Sequence, residues 1–345
     1  MWLGLMFAGF VPLPLLALAA TGWIGFWPVL LYLTLFCGLM DESLGRKSGT
    51  ESAVAQWLGR IIPTLLGLGH FALLLLAILT VSGATGLPDL TRWSGGVAFA
   101  LFFGQISTAN AHELIHRPGR FERRLGRLVF ISLLFGHHVS AHLMVHHRHV
   151  ATPLDPNTAR RGEGVYRFLI RAWSGSFKAG LAGERQRLLT AGRRRRHFSN
   201  PYYDYLFGAI AVMALAAGLG GASGFFGWLA IAILAQIQLL LSDYVQHYGL
   251  QRRRLANGKF EPVAARHSWN APHRFSAALM LNAPRHSDHH LNPSRAYPEL
   301  RLPPKARAPR LPRSIPVMSV IALWPGLWRR IMDPRLAAVE REITR

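Results

Sequence analysis

The chain has 345 residues, of which 50% are hydrophobic and only 16% charged, and its formal net charge is +22. So few charges exclude an ordinary soluble domain, which carries about 25%, and a lone cysteine, Cys37, excludes an intrachain disulfide and a thiolate-based metal centre. The basic excess does not point to nucleic acid, because it sits beside apolar segments, where anionic lipid already attracts Lys and Arg.

A bilayer core of ~30 Å takes about 20 apolar residues as helix. Six stretches meet or approach that length: 2–20, 23–40, 61–82, 93–116, 205–219 and 224–248. The first lacks a basic leader, contains Pro12 and Pro14 and is followed at once by the second. That predicts a helical hairpin turning near Thr21–Gly22 rather than a signal peptide. The second holds Cys37 and the bulky Tyr32, Leu33 and Phe36. From the residues alone these three are expected to pack against lipid. In the third, His70 is a polar residue at mid-membrane, where a helix–helix hydrogen bond is expected. The fourth runs on through "HELIH", His112–His116.

Residues 117–204 then form a polar region. Its apolar Leu128–Gly136 is too short to span and is expected to lie at the interface or re-enter. The fifth segment is short and rich in Ala and Gly, a composition suited to helix contact in lipid. The sixth ends in "VQHYG", and residues 249–345 are polar again. Of the 39 Lys and Arg, 17 lie in 112–204 and 18 in 249–345, three (Arg46, Lys47, Arg60) lie between segments two and three, and only Arg92 lies on the opposite side. By the positive-inside rule both termini and both polar regions are cytoplasmic. The runs Arg193–Arg196 and Arg252–Arg254 read as topology and lipid anchors. The predicted fold class is thus an all-α integral membrane protein, a single domain over 1–345 with six transmembrane helices and a cytoplasmic histidine-rich cap.

Most of the 16 histidines fall in four places at the cytoplasmic ends of these segments: "HELIH", "HLMVHH", "VQHYG" and "RHSDHH". His112 and His116 are four apart, as are His142 and His146, and His286 and His290, so each pair is expected on one helix face. With His147, His247 and His289, nine imidazoles converge from four chain regions. Internal position excludes a purification tag, and a pH switch does not need repeated i, i+4 geometry. Nine imidazoles suit two metal ions of four or five ligands each, and histidine without thiolate fits Fe, Cu or Zn. "HELIH" is also H-E-x-x-H, the zinc-protease signature with Glu113 as general base, although such an enzyme does not need seven further histidines. A pair of redox metals opening into an apolar bundle suggests O₂ chemistry on lipid-soluble carbon. A metal-storing or transporting protein is the non-enzyme alternative, but transport sites lie near the midplane. His137 and His138 would support the ligands from behind, whereas His149, His197, His267 and His273 read as hydrogen-bonding or exposed.

The succession "HELIH", "HLMVHHRHVATPLDP", "QHYGL", "HSWN" and "RHSDHH", spanning roughly Asp41 to Asp333, resembles the membrane-bound alkane 1-monooxygenases of the fatty acid desaturase and hydroxylase superfamily. "QHYGL" and "RHSDHH" distinguish that branch from the desaturases. The resemblance implies a diiron centre of two Fe ions held by His112, His116, His142, His146, His147, His247, His286, His289 and His290. It implies terminal hydroxylation of alkanes in a bacterial inner membrane, with O₂ and electrons from rubredoxin or ferredoxin and an NAD(P)H-dependent reductase. A hydroxylase of alkyl-aromatic methyl groups and a fatty acyl desaturase or hydroxylase are the neighbouring alternatives. The family's second box is usually preceded by Glu, where this chain has Ala141. Asp288 is a candidate acceptor for a ligand N–H or else a partner of Arg285. The chain has no dinucleotide-binding Gly-rich loop and too few cysteines for a fused rubredoxin, so the electron donor is expected to be a separate acidic protein.

Overall fold

The computed structural model describes residues 2–44, 53–190 and 199–344. Arg46, Lys47, Arg193–Arg196 and His197 lie outside the described residues. Among the described residues the regular structure is helical, joined by irregular stretches such as 249–264, with two isolated β-bridges and no strand.

The first apolar segment is not one helix. Trp2–Leu5 and a 3₁₀ turn, Ala8–Phe10, precede α1, Pro12–Ala20. Pro12 and Pro14 suit a first helical turn, which has no use for their missing N–H groups. The chain reverses at Gly22, whose φ of 82° is left-handed. It then enters α2 (27–43), where Trp27–Leu31 and Cys37–Ser43 flank a π-helical turn at Tyr32–Phe36. α3 is Ala53–Ser82. α4 (89–115) likewise carries a π turn, Phe103–Ser107, between Asp89–Phe102 and Thr108–Ile115.

α5, Arg120–Ser132, dips into the bundle. Its last residue, Ser132, meets the Nε2 of His70 at 2.8 Å, and its carbonyl accepts the indole N–H of Trp228 at 3.1 Å. Gln236 donates to the Leu133 carbonyl at 2.8 Å. The chain end of α5 is therefore capped by side chains from two neighbouring helices instead of water, as a buried helix terminus requires. His70 makes the interhelical hydrogen bond expected from its place in an apolar helix. α6 (137–149) follows and then α7, Val165–Thr190.

α8, Pro201–His247, begins with an Asn200 side chain capping the Tyr202 N–H and Pro201 in the first turn. Gly221 breaks it with φ 58° and ψ −148°. A Cβ on Gly224 would lie 2.3 Å from the Ala216 carbonyl oxygen, whereas eight residues of straight helix span about 12 Å. The chain has folded back, so α8 is a hairpin of two arms, 201–220 and 222–247, close to the fifth and sixth predicted segments. Among the described residues two helical runs, Gln56–Ser82 and Pro201–His247, are long and apolar enough to cross a membrane.

The remainder is a cap of short helices: α9, Phe275–Leu279; α10, His286–Leu291; α11, Ile315–Ala322; and α12, Pro325–Thr344. It is tied to the bundle by polar side chains. Oδ1 of Asp41, at the end of α2, accepts the N–H groups of Phe275 and Ser276 at 3.0 and 2.9 Å. The Trp269 indole donates to the Tyr248 carbonyl at 2.9 Å. Within the cap, Arg252–Arg254 is not a free basic strip. The Arg252 guanidinium donates to the Glu261 carbonyl, and the Arg253 guanidinium lies 3.3 Å from the Glu261 carboxylate.

Candidate metal centre

All nine box histidines come together where α4, α6, the end of α8 and α10 meet, and they form two groups. His112, His116, His142, His147 and His289 make one; His146, His247, His286 and His290 make the other, and within each group the ligand nitrogens lie within 4.8 Å of one another. The groups abut, with the rings of His147 and His290 4.8 Å apart, centre to centre.

The division follows from backbone geometry inside α6. His142–His146 is a π-helical turn, and the His147 N–H bonds the His142 carbonyl five residues back. In an α-helix of 3.6 residues per turn, residues five apart diverge by about 140°. An i→i+5 turn instead sets the fifth residue nearly over the first. His142 and His147 therefore share a group, and His146 turns to the other. The i, i+4 spacing brings His142 and His146 side by side, their rings stacked 5.2 Å apart centre to centre, although the two serve different groups. His112 with His116 and His286 with His290 each stay within one group, while His289 crosses to the larger group.

The contacts have the chemistry of a cation site. In the larger group Nε2 of His289 lies 2.9 Å from that of His112 and 3.1 Å from that of His147. His142 Nε2 lies 2.9 Å from His147 and 3.0 Å from His116. A neutral ring nitrogen carries one hydrogen or one lone pair, so it serves one in-plane partner. The nitrogens of His142, His147 and His289 each face two. A central metal resolves this, because bonds of about 2.0–2.1 Å at near right angles separate neighbouring nitrogens by about 3 Å. In the smaller group His286 Nε2 lies 2.9 Å from His247 and 3.0 Å from His290, and His146 Nε2 is buried without a hydrogen-bond partner.

Electrostatics agree. Burial first, and the neighbouring imidazoles next, hold His142, His147, His286, His289 and His290 well below the usual histidine range. They are neutral near pH 7, with lone pairs available to a cation. His146 differs: burial is the largest influence and lowers it, but the Asp155 carboxylate, with help from Asp243, raises it overall. Asp155 Oδ2 holds His146 Nδ1 at 2.8 Å and accepts the Thr158 hydroxyl at 2.7 Å. Asn157 donates its N–H to Asp155 and its side-chain amide to the buried Asp243 at 2.6 Å. This carboxylate fixes the tautomer and aims Nε2 at the other imidazoles.

Sequence reasoning passed over Asp155, although it stands in the quoted "HRHVATPLDP". It favoured Asp288 instead, and there the structure corrects it. Asp288 binds neither a histidine nor Arg285. It takes both hydrogen bonds of Arg295 at 2.7 Å and the Arg301 N–H at 2.7 Å, clamping the loop after α10. His137 also lies away from both groups, packed on Trp173 and Phe177. His138 stacks on His142 with ring centres 5.2 Å apart. His267 accepts the Ala264 N–H and lies 3.1 Å from Glu261. Glu113 turns from the imidazoles to Arg117, at 2.7 Å, and to the Tyr297 N–H. It is not placed as a base beside a metal.

A narrow cavity of about 50 Å³ adjoins both groups, walled by His112, His142 and His286 and, on the bundle side, by Thr108, Gln238 and Leu239. Gly104 makes part of that wall possible, since a Cβ there would lie 2.2 Å from the Gln238 amide nitrogen. The volume is one or two water molecules' share of liquid, at about 30 Å³ each, enough for the end of a chain.

The fatty acid desaturase family model matches residues 90–321, a stretch that contains all nine imidazoles. Two proteins of Pseudomonas aeruginosa are similar over most of the chain. Its alkane 1-monooxygenase 2 is 31% identical, covering 90% of this chain and 85% of that protein. Its alkane 1-monooxygenase 1 is 31% identical, covering 98% and 90%. The chain belongs to the fatty acid desaturase family, in its alkane 1-monooxygenase branch. It is an oxidoreductase of the monooxygenase type, as the order of its histidine motifs led one to expect. A xylene/toluene monooxygenase hydroxylase component of Pseudomonas putida is also similar, 29% identical over 86% of this chain and 77% of that protein. For a member of this family the two imidazole groups are fit to hold metal, and the donor set of imidazole nitrogens without thiolate suits Fe, Cu or Zn.

Proposed function

We propose that the nine histidines hold two iron ions and that the protein hydroxylates the terminal carbon of n-alkanes. The observation that carries this reading is a cavity of about 50 Å³ that both imidazole groups help to wall at the end of the bundle. Bound iron would supply the activation of O₂ and the cleavage of the C–H bond. The protein's residues do the rest. Gln238, Leu239 and Thr108 shape a slot that admits a methyl group end-on. Asp155 keeps His146 in the tautomer that leaves Nε2 free. Packing around the slot keeps bulk water away from the reacting carbon. The balance is one alkane, one O₂, two electrons and two protons to one alcohol and one water.

The six apolar segments cross a bacterial inner membrane with both termini cytoplasmic; the distribution of Lys and Arg supports this orientation. Electrons come from a separate acidic iron–sulfur carrier, rubredoxin or a ferredoxin, reduced by an NAD(P)H-dependent reductase. The net charge of +22 and the single cysteine support an external acidic donor. Purified protein with reduced rubredoxin should convert octane to 1-octanol. Mainly internal alcohols would refute end-on binding, and full turnover with NADH alone would refute the separate carrier. The likeness to the xylene/toluene hydroxylase component favours one second reading, attack on alkyl-aromatic methyl groups. Faster turnover of xylene than of octane would select it.

A further inference from the structure

We propose that α7 and the corner between α11 and α12 are embedded in the cytoplasmic leaflet and present apolar stripes to lipid acyl chains. Both lie in polar regions that composition alone assigns to the cytoplasm, and the proposal rests on the membrane-spanning reading of the bundle. The first half of α7 is apolar on two opposite faces. Val165, Phe168 and Ala172 pack inward, while Tyr166 and Ile170 point out and Trp173 and Phe177 are partly exposed where they lean on His137, and Ile170 is 75% exposed. Spacings of four, three and four put Tyr166, Ile170, Trp173 and Phe177 on one face. The corner repeats the design. Ile315, Met318 and Ala322 are buried, and Val317, Val320, Trp324 and Leu327 face out, with Trp324 59% exposed. The Tyr166 hydroxyl donates to the Leu323 carbonyl at 2.8 Å, joining the two stripes side by side.

Depth decides what covers them. The Trp173 indole donates to Gln236 at 2.8 Å, and the rings of Phe168 and Trp328 pack on Tyr244 with centres 5.3 and 5.1 Å away. Gln236 and Tyr244 belong to the apolar arm 222–247, so both stripes lie level with that arm and continue its apolar surface. Trp and Tyr within the stripes, with the exposed Arg167, Lys178, Arg329 and Arg330 flanking them, match the composition of an interfacial surface. Long basic side chains there reach the headgroups. Such embedment keeps the imidazole groups at leaflet depth, so an alkane reaches them from the bilayer without crossing water.

The test is site-directed spin labelling in lipid nanodiscs. Ile170→Cys and Val320→Cys are made in a Cys37→Ala background, with Trp324→Cys as a further probe of the corner should Val320→Cys fold poorly. Ile233→Cys, on the outward face of the arm, is the lipid reference, and Lys305→Cys, exposed in the cap, is the water reference. Collision with dissolved O₂ and with a water-soluble nickel chelate is read at each label. The expected result is that Ile170 and Val320 match Ile233, open to oxygen and shielded from nickel. Nickel access equal to that at Lys305 would overturn the proposal. Shielding from both reagents, the mark of a covering protein surface or second copy, would overturn it as well. Nickel access at Ile233 itself would instead sink the membrane reading beneath it.

Discussion

The two imidazole groups are made of the same ligand and built to different rules. The five-membered group draws on α4, α6 and α10; His112, His116 and His147 keep some exposure, and among the described residues no carboxylate is hydrogen-bonded to its rings. The four-membered group draws on α6, α8 and α10, is buried throughout, and has one ring clamped by Asp155. One group offers five imidazoles to a metal ion and the other four. We expect the larger group to survive the loss of one ligand and the smaller group not to.

The largest expected effects test that asymmetry. His286→Ala leaves three imidazoles in the smaller group, so it should lose one metal ion per chain and reduce hydroxylation to background. His116→Ala leaves four in the larger group and should keep both ions while slowing turnover. Elemental analysis of the two purified variants compares them, and equal metal loss would erase the distinction. Next in size is Asp155→Asn. Removing a carboxylate behind a ligand typically costs 10–100-fold in metal affinity or activity. Titration with a chelator should show that loss at one ion only, and a uniform loss would place Asp155 outside the smaller group's support.

Two smaller effects mark the groups' outer limits. Asp288→Asn should lower stability by about 2–3 kcal/mol, since charged hydrogen bonds to Arg295 and the loop are lost, with both ions retained. Thermal unfolding and metal content, measured together, check this; loss of metal at unchanged stability would return Asp288 to the site. Ser132→Ala should cost about 1–2 kcal/mol by stranding the buried His70 nitrogen. It should leave both groups untouched, and altered metal content would mean that the α3–α5 contact positions the ligands.

Much of this was legible in the sequence, because histidine spacing survives any detail of packing. The nine residues and their shared depth followed from motif positions and helix rise. How they divide did not. It depends on one π turn in α6, and no residue in "HLMVHH" announces an i→i+5 bond. Asp155 was hidden for a different reason: it reaches His146 through a turn that Thr158 and Asn157 stabilise, not through helical spacing. A turn near Gly221 was anticipated, since the fifth apolar segment ends at 219 and the sixth begins at 224. The apolar face of α11 was not, because its eight residues fall short of a span and were absorbed into a basic region.

The central claim is that two adjacent metals share one small cavity at the end of the bundle. Iron analysis of detergent-purified protein, alongside its His286→Ala variant, tests this most directly. The account predicts about two irons per chain in the native protein, one for each imidazole group, and about one in the variant. One zinc per chain and no iron would contradict it.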